Sequence, residues 1–388
     1  MNSVYFIPSV QTKMGNLISP PKDTVVLIPP RISTRGLTRP IVLENPFNVA
    51  FGSLFRKEVL EDLHSFDGNV ALDVLMCPEL PPTLAAHLSL AGSSNDKSVK
   101  GGALNLHFNQ ALSATMSGVA RLSISGSDGL SGYGIVTRDM GSDVQLAVTG
   151  SVFENMQIFG FRGIWRSLKF GCEIPNRSIP ESRAWAIARL SPNISLGLQG
   201  TPLKTYTFSA CLDKRIENTD STYSVVASVD YPSRDVTLGY SQHLVTHRRI
   251  YNPLEEKHVK YICNYIDIAV EGKTRGETKT PTNSILHEVC GGISWQLNKN
   301  LLTKLHASTA RGVVLTGVVR NWWVPSVLGS LSIGLDTRGS PYIGGRLQVS
   351  NWLSTVEYEK GQPVSELPQT RWISMNEVKR FNSDNYHV

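Results

Sequence analysis

Between Asn69 and Ser350 the chain repeats one pattern: short runs in which apolar and polar residues alternate, separated by turn residues. In "NVALDVLM", Val70, Leu72, Val74 and Met76 share one face and Asp73 lies on the other. In "MSGVARLSIS", Met116, Gly118, Ala120, Leu122 and Ile124 oppose Ser117, Arg121, Ser123 and Ser125. "DVQLAVTG", "NISLGLQG", "KTYTFSACLD", "STYSVVASVD", "DVTLGYSQH" and "YICNYIDIAV" continue the theme. A period of two puts successive side chains on opposite faces of an extended strand, so the chain is all-β over this stretch. About nineteen such segments can be counted, bounded by turns such as "GSDG" and "YPSRD". No strand–helix alternation is present, which argues against a parallel α/β fold.

Two architectures accept many half-apolar strands. A soluble sandwich or propeller turns the apolar face into a dry core. A transmembrane antiparallel barrel turns it to lipid and lines an aqueous lumen with the polar face. Alternation alone fits both. Three features favour the membrane barrel. Only 18% of residues are charged, and the polar faces carry Ser, Thr, Asn and Gln, as Thr205, Thr207 and Ser209 do opposite Tyr206 and Phe208; soluble surfaces are usually more densely charged. Aromatic residues recur near expected strand ends: Phe159, Phe161, Tyr231, Tyr240, Trp322 and Trp323, as interfacial girdles require. The strands follow one another with mostly short turns, which suits one closed sheet without edges. The charge-rich stretches at 248–260 and 271–284 read as solvent-facing loops.

Ahead of the strands lies one convincing helix, "SLFRKEVLEDLHSF". Ser53 is placed to cap it and Gly68 to end it. Phe55, Val59, Leu63 and Phe66 fall on one stripe, with Arg56, Lys57 and Glu61 largely off it. The expected organisation is therefore a Pro-rich extended segment (residues 1–47), an amphipathic helix in or near the lumen (48–68), a barrel (69–350) and a C-terminal tail (351–388). The N-terminal segment is poor in acidic residues, as mitochondrial presequences are, but its prolines spoil the amphipathic helix such a signal needs. The five cysteines are widely spaced with no Cys-x-x-Cys pair, which favours free thiols over a disulfide scaffold or a structural zinc site.

The last alternating run, Tyr342-Ile343-Gly344-Gly345-Arg346-Leu347-Gln348-Val349, is similar to the insertion signal of mitochondrial β-barrels: a polar residue, a glycine, then two alternating hydrophobics. Tyr342, Gly344, Leu347 and Val349 take those positions. "NPFNVAFGSLFRKEVLEDLHSFDGNVALDV" resembles the start of the channel subunit of the mitochondrial outer-membrane protein-import translocase, with its Asn-Pro, helix, Phe-acidic-Gly and first strand. "GGALNLHFNQAL", "RDMGSDVQLAVTG" and "GVVLTGVVRNWWV" resemble later strands of that family in the same order. The resemblance implies a barrel of the mitochondrial porin superfamily, with about nineteen strands and a short N-terminal helix. It further implies a protein-conducting channel of the mitochondrial outer membrane that passes unfolded precursors. No cofactor is expected. The expected partners are membrane lipid, precursor proteins and other subunits of an outer-membrane complex, a second barrel copy among them. A metabolite or anion channel of the voltage-dependent anion channel type, or a barrel that anchors a structural tether, are the alternatives.

On this facing, Asp73, Asp213, Asp230 and Asp267 point inward together with Arg121, Lys169 and Arg346, a wall of mixed charge. A lumen with dispersed carboxylates would attract cationic precursors, whereas a basic one would suit anions. Several of these Asp residues also fall near strand ends, where rim solvation would explain them equally. A net charge of +6 without a dense basic run gives nucleic-acid binding little support. His243 and His247 have the i, i+4 spacing of helical metal ligands, but they sit on an alternating run, so no metal is expected. No nucleophile elbow or phosphate loop occurs, so the chain does not read as an enzyme.

Overall fold

The computed structural model describes residues 25–28, 32, 46–76, 84–93, 98–112, 116–125, 129–140, 144–153, 156–175, 181–202, 204–215, 221–250, 260–274, 286–298, 300–321, 325–350 and 359–360. Most of the N-terminal segment and the C-terminal tail, Trp322, Trp323 and the centres of the charged connections lie outside them. A short strand β1 (Val25–Ile28) precedes helices α1 (Pro46–Ala50) and α2 (Ser53–Leu60). The first half of the sheet is β2 (Asn69–Met76), β3 (Leu84–Ser93), β4 (Ser98–Ala111), β5 (Met116–Ser125), β6 (Gly129–Asp139), β7 (Val144–Phe153), β8 (Met156–Trp165), β9 (Leu168–Pro175), β10 (Arg183–Ser191) and β11 (Ile194–Thr201). The second half is β12 (Thr205–Arg215), β13 (Thr222–Tyr231), β14 (Val236–Ile250), β15 (Lys260–Thr274), β16 (Leu286–Gln296), β17 (Leu301–Ser308), β18 (Gly312–Asn321), β19 (Ser326–Leu335) and β20 (Pro341–Ser350), followed by a two-residue strand β21 (Glu359–Lys360).

Strands β2 to β20 form a closed barrel of nineteen strands. Each pairs antiparallel with its sequence neighbour, and β2 pairs with β20 in parallel, from Val70 opposite Gly345 to Leu75 opposite Ser350. The parallel seam follows from the odd count. In an up-and-down meander of nineteen strands the first and last run the same way, so closure removes the sheet edges only through a parallel pair.

The outer face is apolar. Val148 is 65% exposed, Leu190 64% and Ile343 61%, and Leu72, Leu212, Leu315 and Leu331 are likewise exposed. Tyr206 stands opposite Tyr231 at one end of the barrel, and Trp165 closes β8 at the other. Phe159, Phe161 and Tyr240 face outward from within their strands rather than from the ends, so they belong to the apolar band and not to a girdle. Extended alternation, not a propensity for aromatic ends, placed them there.

The charged stretches at 248–260 and 271–284 are only partly loops. Arg248, Arg249 and Ile250 pair with Ile262, Tyr261 and Lys260, and the ladder of β14 and β15 runs to Thr274 at the other end. The outer end of β15 lies beyond its last pairing with β16 at Tyr265. There its free edge is taken by β1, parallel, with Val25 opposite Lys260 and Leu27 opposite Ile262; β21 then pairs with β1. Charge does not exclude a strand whose backbone is paired, on one side for Arg248–Ile250 and on both sides for Lys260–Ile262, and β-branched and aromatic residues at 250, 261 and 262 favour one.

Candidate functional site: the barrel lumen and its plug

Residues 46–68 run as a half-ring along the inner wall. Phe47 and Phe51 pack on Trp185, Ile187, Cys211 and Val226 of β10, β12 and β13. Phe55, Val59 and Leu60 pack on Ala269 of β15 and against Cys290 of β16. Leu63 joins Ile32, Leu302, Val318 and Leu328 of β17 to β19. The backbone N–H of Ser65 donates to Ser332 Oγ at 2.9 Å, after which the chain enters β2. Glycines on the inner register make room for this path. A Cβ on Gly197 would lie 2.4 Å from the ring of Phe51, and one on Gly239 would lie 2.7 Å from Cζ of Arg56.

The helix is shorter than its sequence pattern. Gly52, in the left-handed region at φ 62°, takes the N-cap position, while Ser53 is already helical and donates its hydroxyl to Asn48 O at 2.9 Å. The helical region also starts earlier, at Pro46, and breaks at Gly52. α2 ends at Leu60, where Glu61 leaves the helical region at φ −121°; Lys304 of the wall donates from Nζ to Glu58 O and Asp62 O, both at 2.5 Å, and Leu63 turns to φ 66°. This left-handed turn still aims Leu63 at the wall. Phe66 falls in a separate 3-10 turn, Phe66–Gly68. It is half-buried, edge-on to His306 with ring centroids 5.2 Å apart, beneath the Arg311 guanidinium at 5.0 Å.

Two cations therefore hold α2. Lys304 meets the negative end of the helix dipole, and Arg56, buried rather than solvent-facing, bonds Glu271 at 3.1 Å and Phe51 O at 2.9 Å. His64 is bonded through Nδ1 to Thr316 at 2.7 Å. Burial, then the nearby Lys304 charge, then His306 push its pKa down to about 2, so it is neutral near pH 7.

Asp73, Arg121, Lys169, Asp213, Asp230 and Asp267 all lie on the inner register. Most of their contacts are with one another's neighbours rather than with a bare wall. Asp73 is 1% exposed; it accepts from Arg346 Nε across the parallel seam at 2.5 Å and is bonded to His87 Nε2 at 3.0 Å. Arg121 donates to Asn105 Oδ1 at 2.6 Å from one nitrogen and 3.1 Å from another. Asp267 is bonded to His243 Nδ1 at 2.5 Å. Asp230 accepts from Thr207 Oγ1 at 2.6 Å, and Asp213 from Cys211 Sγ at 3.2 Å. Lys169 stands opposite Ile187 of β10. Asp73 and Asp267 are well inside their strands, whereas Asp230 is the penultimate residue of β13.

In the last strand Tyr342 and Gly344 face inward, while Leu347 and Val349 lie on the outward register opposite Gly329 and Val327. Gly344 packs under the plug, with Ser65 Cβ and Asn69 O each 2.7 Å from where its Cβ would be. The Tyr342 ring lies over Gly334.

Between α2 and the wall a recess of about 540 Å³ is lined by Lys57, Glu61, Asp230, Glu271, Glu288 and Arg311, among others. Its charges are mixed in sign. Among the described residues no group of three His, Cys, Asp or Glu is placed to hold a metal ion, and Cys172, Cys211 and Cys290 are free thiols. Alternation in the sequence had indicated which wall residues face inward. It had not indicated Arg56, Glu271, Lys304 or His243 as contacts; the only local sign was glycine at inner positions 197, 239 and 344.

An apolar outer band around a polar, partly plugged interior makes this a large β-barrel of the kind that crosses membranes with strands, compatible with a channel-type function. No protein-family model matches the chain, and no curated protein matches it either.

Proposed function

We propose that this chain is a channel of the mitochondrial outer membrane that passes unfolded precursor proteins. The observation that carries the proposal is the nineteen-strand barrel closed by a parallel pair. Bacterial single-chain barrels have even strand numbers, whereas nineteen strands is the count of a mitochondrial anion channel. The import cargo rests on the ordered motifs from Asn45 to Ser350, on the helix they place ahead of the first strand and on the glycine of the last one. The plug docked along β10 to β20 narrows such a pore without filling its whole circumference. Conduction would be passive, with no cofactor, beside other subunits of an outer-membrane complex.

A second reading, an anion-conducting metabolite channel, is favoured by Arg121, Arg162 and Lys169. These inner basic residues lie on β5, β8 and β9, away from the strands against which the helices pack. Reconstitution of the full chain in planar bilayers separates the two. Current block by a cationic presequence peptide, together with crosslinks from lumen positions to a precursor arrested during import, supports the import channel. An anion-selective current indifferent to the peptide supports the metabolite channel. A folded, inserted protein with no current supports a tether and overturns both.

A further inference from the structure

Strands β14 and β15 are each fifteen residues long, against ten in β13 and eleven in β16. Their ladder rises past the ring at the end where β20 finishes. There β13 last pairs with β14 at His243, and β16 last pairs with β15 at Tyr265, through its own final residue Gln296. Beyond Gln296, the edge that β15 no longer shares with β16 carries β1, with Val25, Val26 and Leu27 opposite Lys260, Tyr261 and Ile262. Four residues after the end of β1, Ile32 is inside the barrel. It is 4% exposed, packed with Leu63 of the plug and with Leu302, Val318 and Leu328 of the wall. Its backbone N–H donates to Gln296 Oε1 at 3.0 Å.

This is the layout of a receptor for extended peptide. A strand edge recognises main chain of any sequence, and a side-chain pocket beside it adds selectivity. Gln296 likewise reads a backbone N–H, and the pocket takes a β-branched apolar side chain. Three paired positions and one buried side chain are a modest hold. Attachment in the same chain sustains them by making the binding intramolecular. An unfolded chain in transit offers the same chemistry, free backbone and apolar side chains in extended form. We propose that the β15 edge and the Ile32 pocket are an acceptor for extended apolar segments of the transported chain, occupied in the resting protein by Val25–Ile28 and Ile32 as an internal competitor. Because Ile32 and Leu63 share one cluster, exchange also removes part of what docks the plug. The proposal rests on the import reading of this chain.

The probe is a synthetic peptide of residues 24–33 with benzoylphenylalanine in place of Ile32. It is photo-crosslinked to the full chain in liposomes, and the adducts are mapped by mass spectrometry. Adducts at Leu302 or Leu328 should be scarce in the parent and severalfold more abundant in I32D, whose own segment cannot refill an apolar pocket. I32D/L328D should lose them. I32A should fall between parent and I32D, and it carries the comparison if strand circular dichroism shows that I32D does not fold. Equal yields in the parent and both Ile32 variants overturn the acceptor. A precursor arrested with an apolar segment in the lumen should suppress the adducts of I32D, and one arrested with a polar segment should not. Equal suppression by both would mean plain obstruction and overturns the proposal. A precursor that crosslinks to the lumen yet leaves the adducts unchanged also overturns it, while the import reading stands. A precursor that crosslinks nowhere in the lumen overturns the import reading and this proposal together.

Discussion

At Gly239 a missing Cβ decides where a charge sits. Arg56 lies across it to reach Glu271, so Gly239→Val forces the guanidinium away from the wall and breaks that bond. Overpacking of this kind costs about 1–3 kcal/mol. Amide exchange over Phe55–Leu60 should accelerate in this variant while exchange in the strands of the far wall stays unchanged; unchanged helix protection would show that the contact does not hold α2. His64 makes a separate expectation. Its folded pKa, about 2, lies below the unfolded value of 6.5. Its contribution to docking is thus complete above about pH 6.5 and is lost progressively as pH falls toward 2. Plug protection should weaken in mild acid in the parent protein, and His64→Gln should flatten that part of the profile.

On the scale of the element, α2 is short and leans on tertiary contacts, since isolated helices of this length are marginal in water. Its apolar stripe seeks the wall, and Lys304 and Arg56 fix where along the wall it rests. Lys304→Met removes the donor to Glu58 O and Asp62 O, a loss of about 1–3 kcal/mol for buried acceptors. Combined with Arg56→Met it should free the plug. The double variant is expected to show a larger and noisier unitary current than the parent, and an identical current would mean that the plug does not restrict the pore. The last strand has two duties that the sequence pattern does not separate. Leu347 and Val349 belong to the outer face, but Gly344 is also the floor under Ser65. Replacing Gly344, Leu347 and Val349 with polar residues should block membrane assembly, read by carbonate extraction after synthesis. Gly344→Val alone should assemble poorly only if the plug must dock for closure.

For the whole molecule the sensitive line is the parallel seam. Its six paired positions, Val70–Leu75 against Gly345–Ser350, are bridged on the inside by Asp73 with Arg346, while His87 of β3 holds Asp73 from the other side. Breaking a buried ion pair by removing one partner costs about 3–5 kcal/mol, because the other charge is left behind. Asp73→Ala should therefore lower the temperature at which the folded barrel loses its compact mobility in detergent gels. The double variant Asp73→Asn with Arg346→Gln should recover part of the loss, and equal damage in both would place the effect elsewhere.

By itself the sequence determined the strands, their facing and their approximate number, because alternation is a local property of an extended chain and turns punctuate it. The amphipathic stripe of the helix was legible for the same reason, although its ends were not: Lys304, which caps the carbonyls of its last turn, is 246 positions from Glu58. Only the tertiary structure decided that charged residues flanking Ile250 belong to a ladder, that the plug follows β10 to β20, and that the inner carboxylates are mostly paired. Arg56 and Glu271 are 215 positions apart, and nothing local joins them. Such pairs are chosen by the closure of nineteen strands into one ring, which sets which distant side chains meet between the plug and the inner wall, where burial makes an unpaired charge costly.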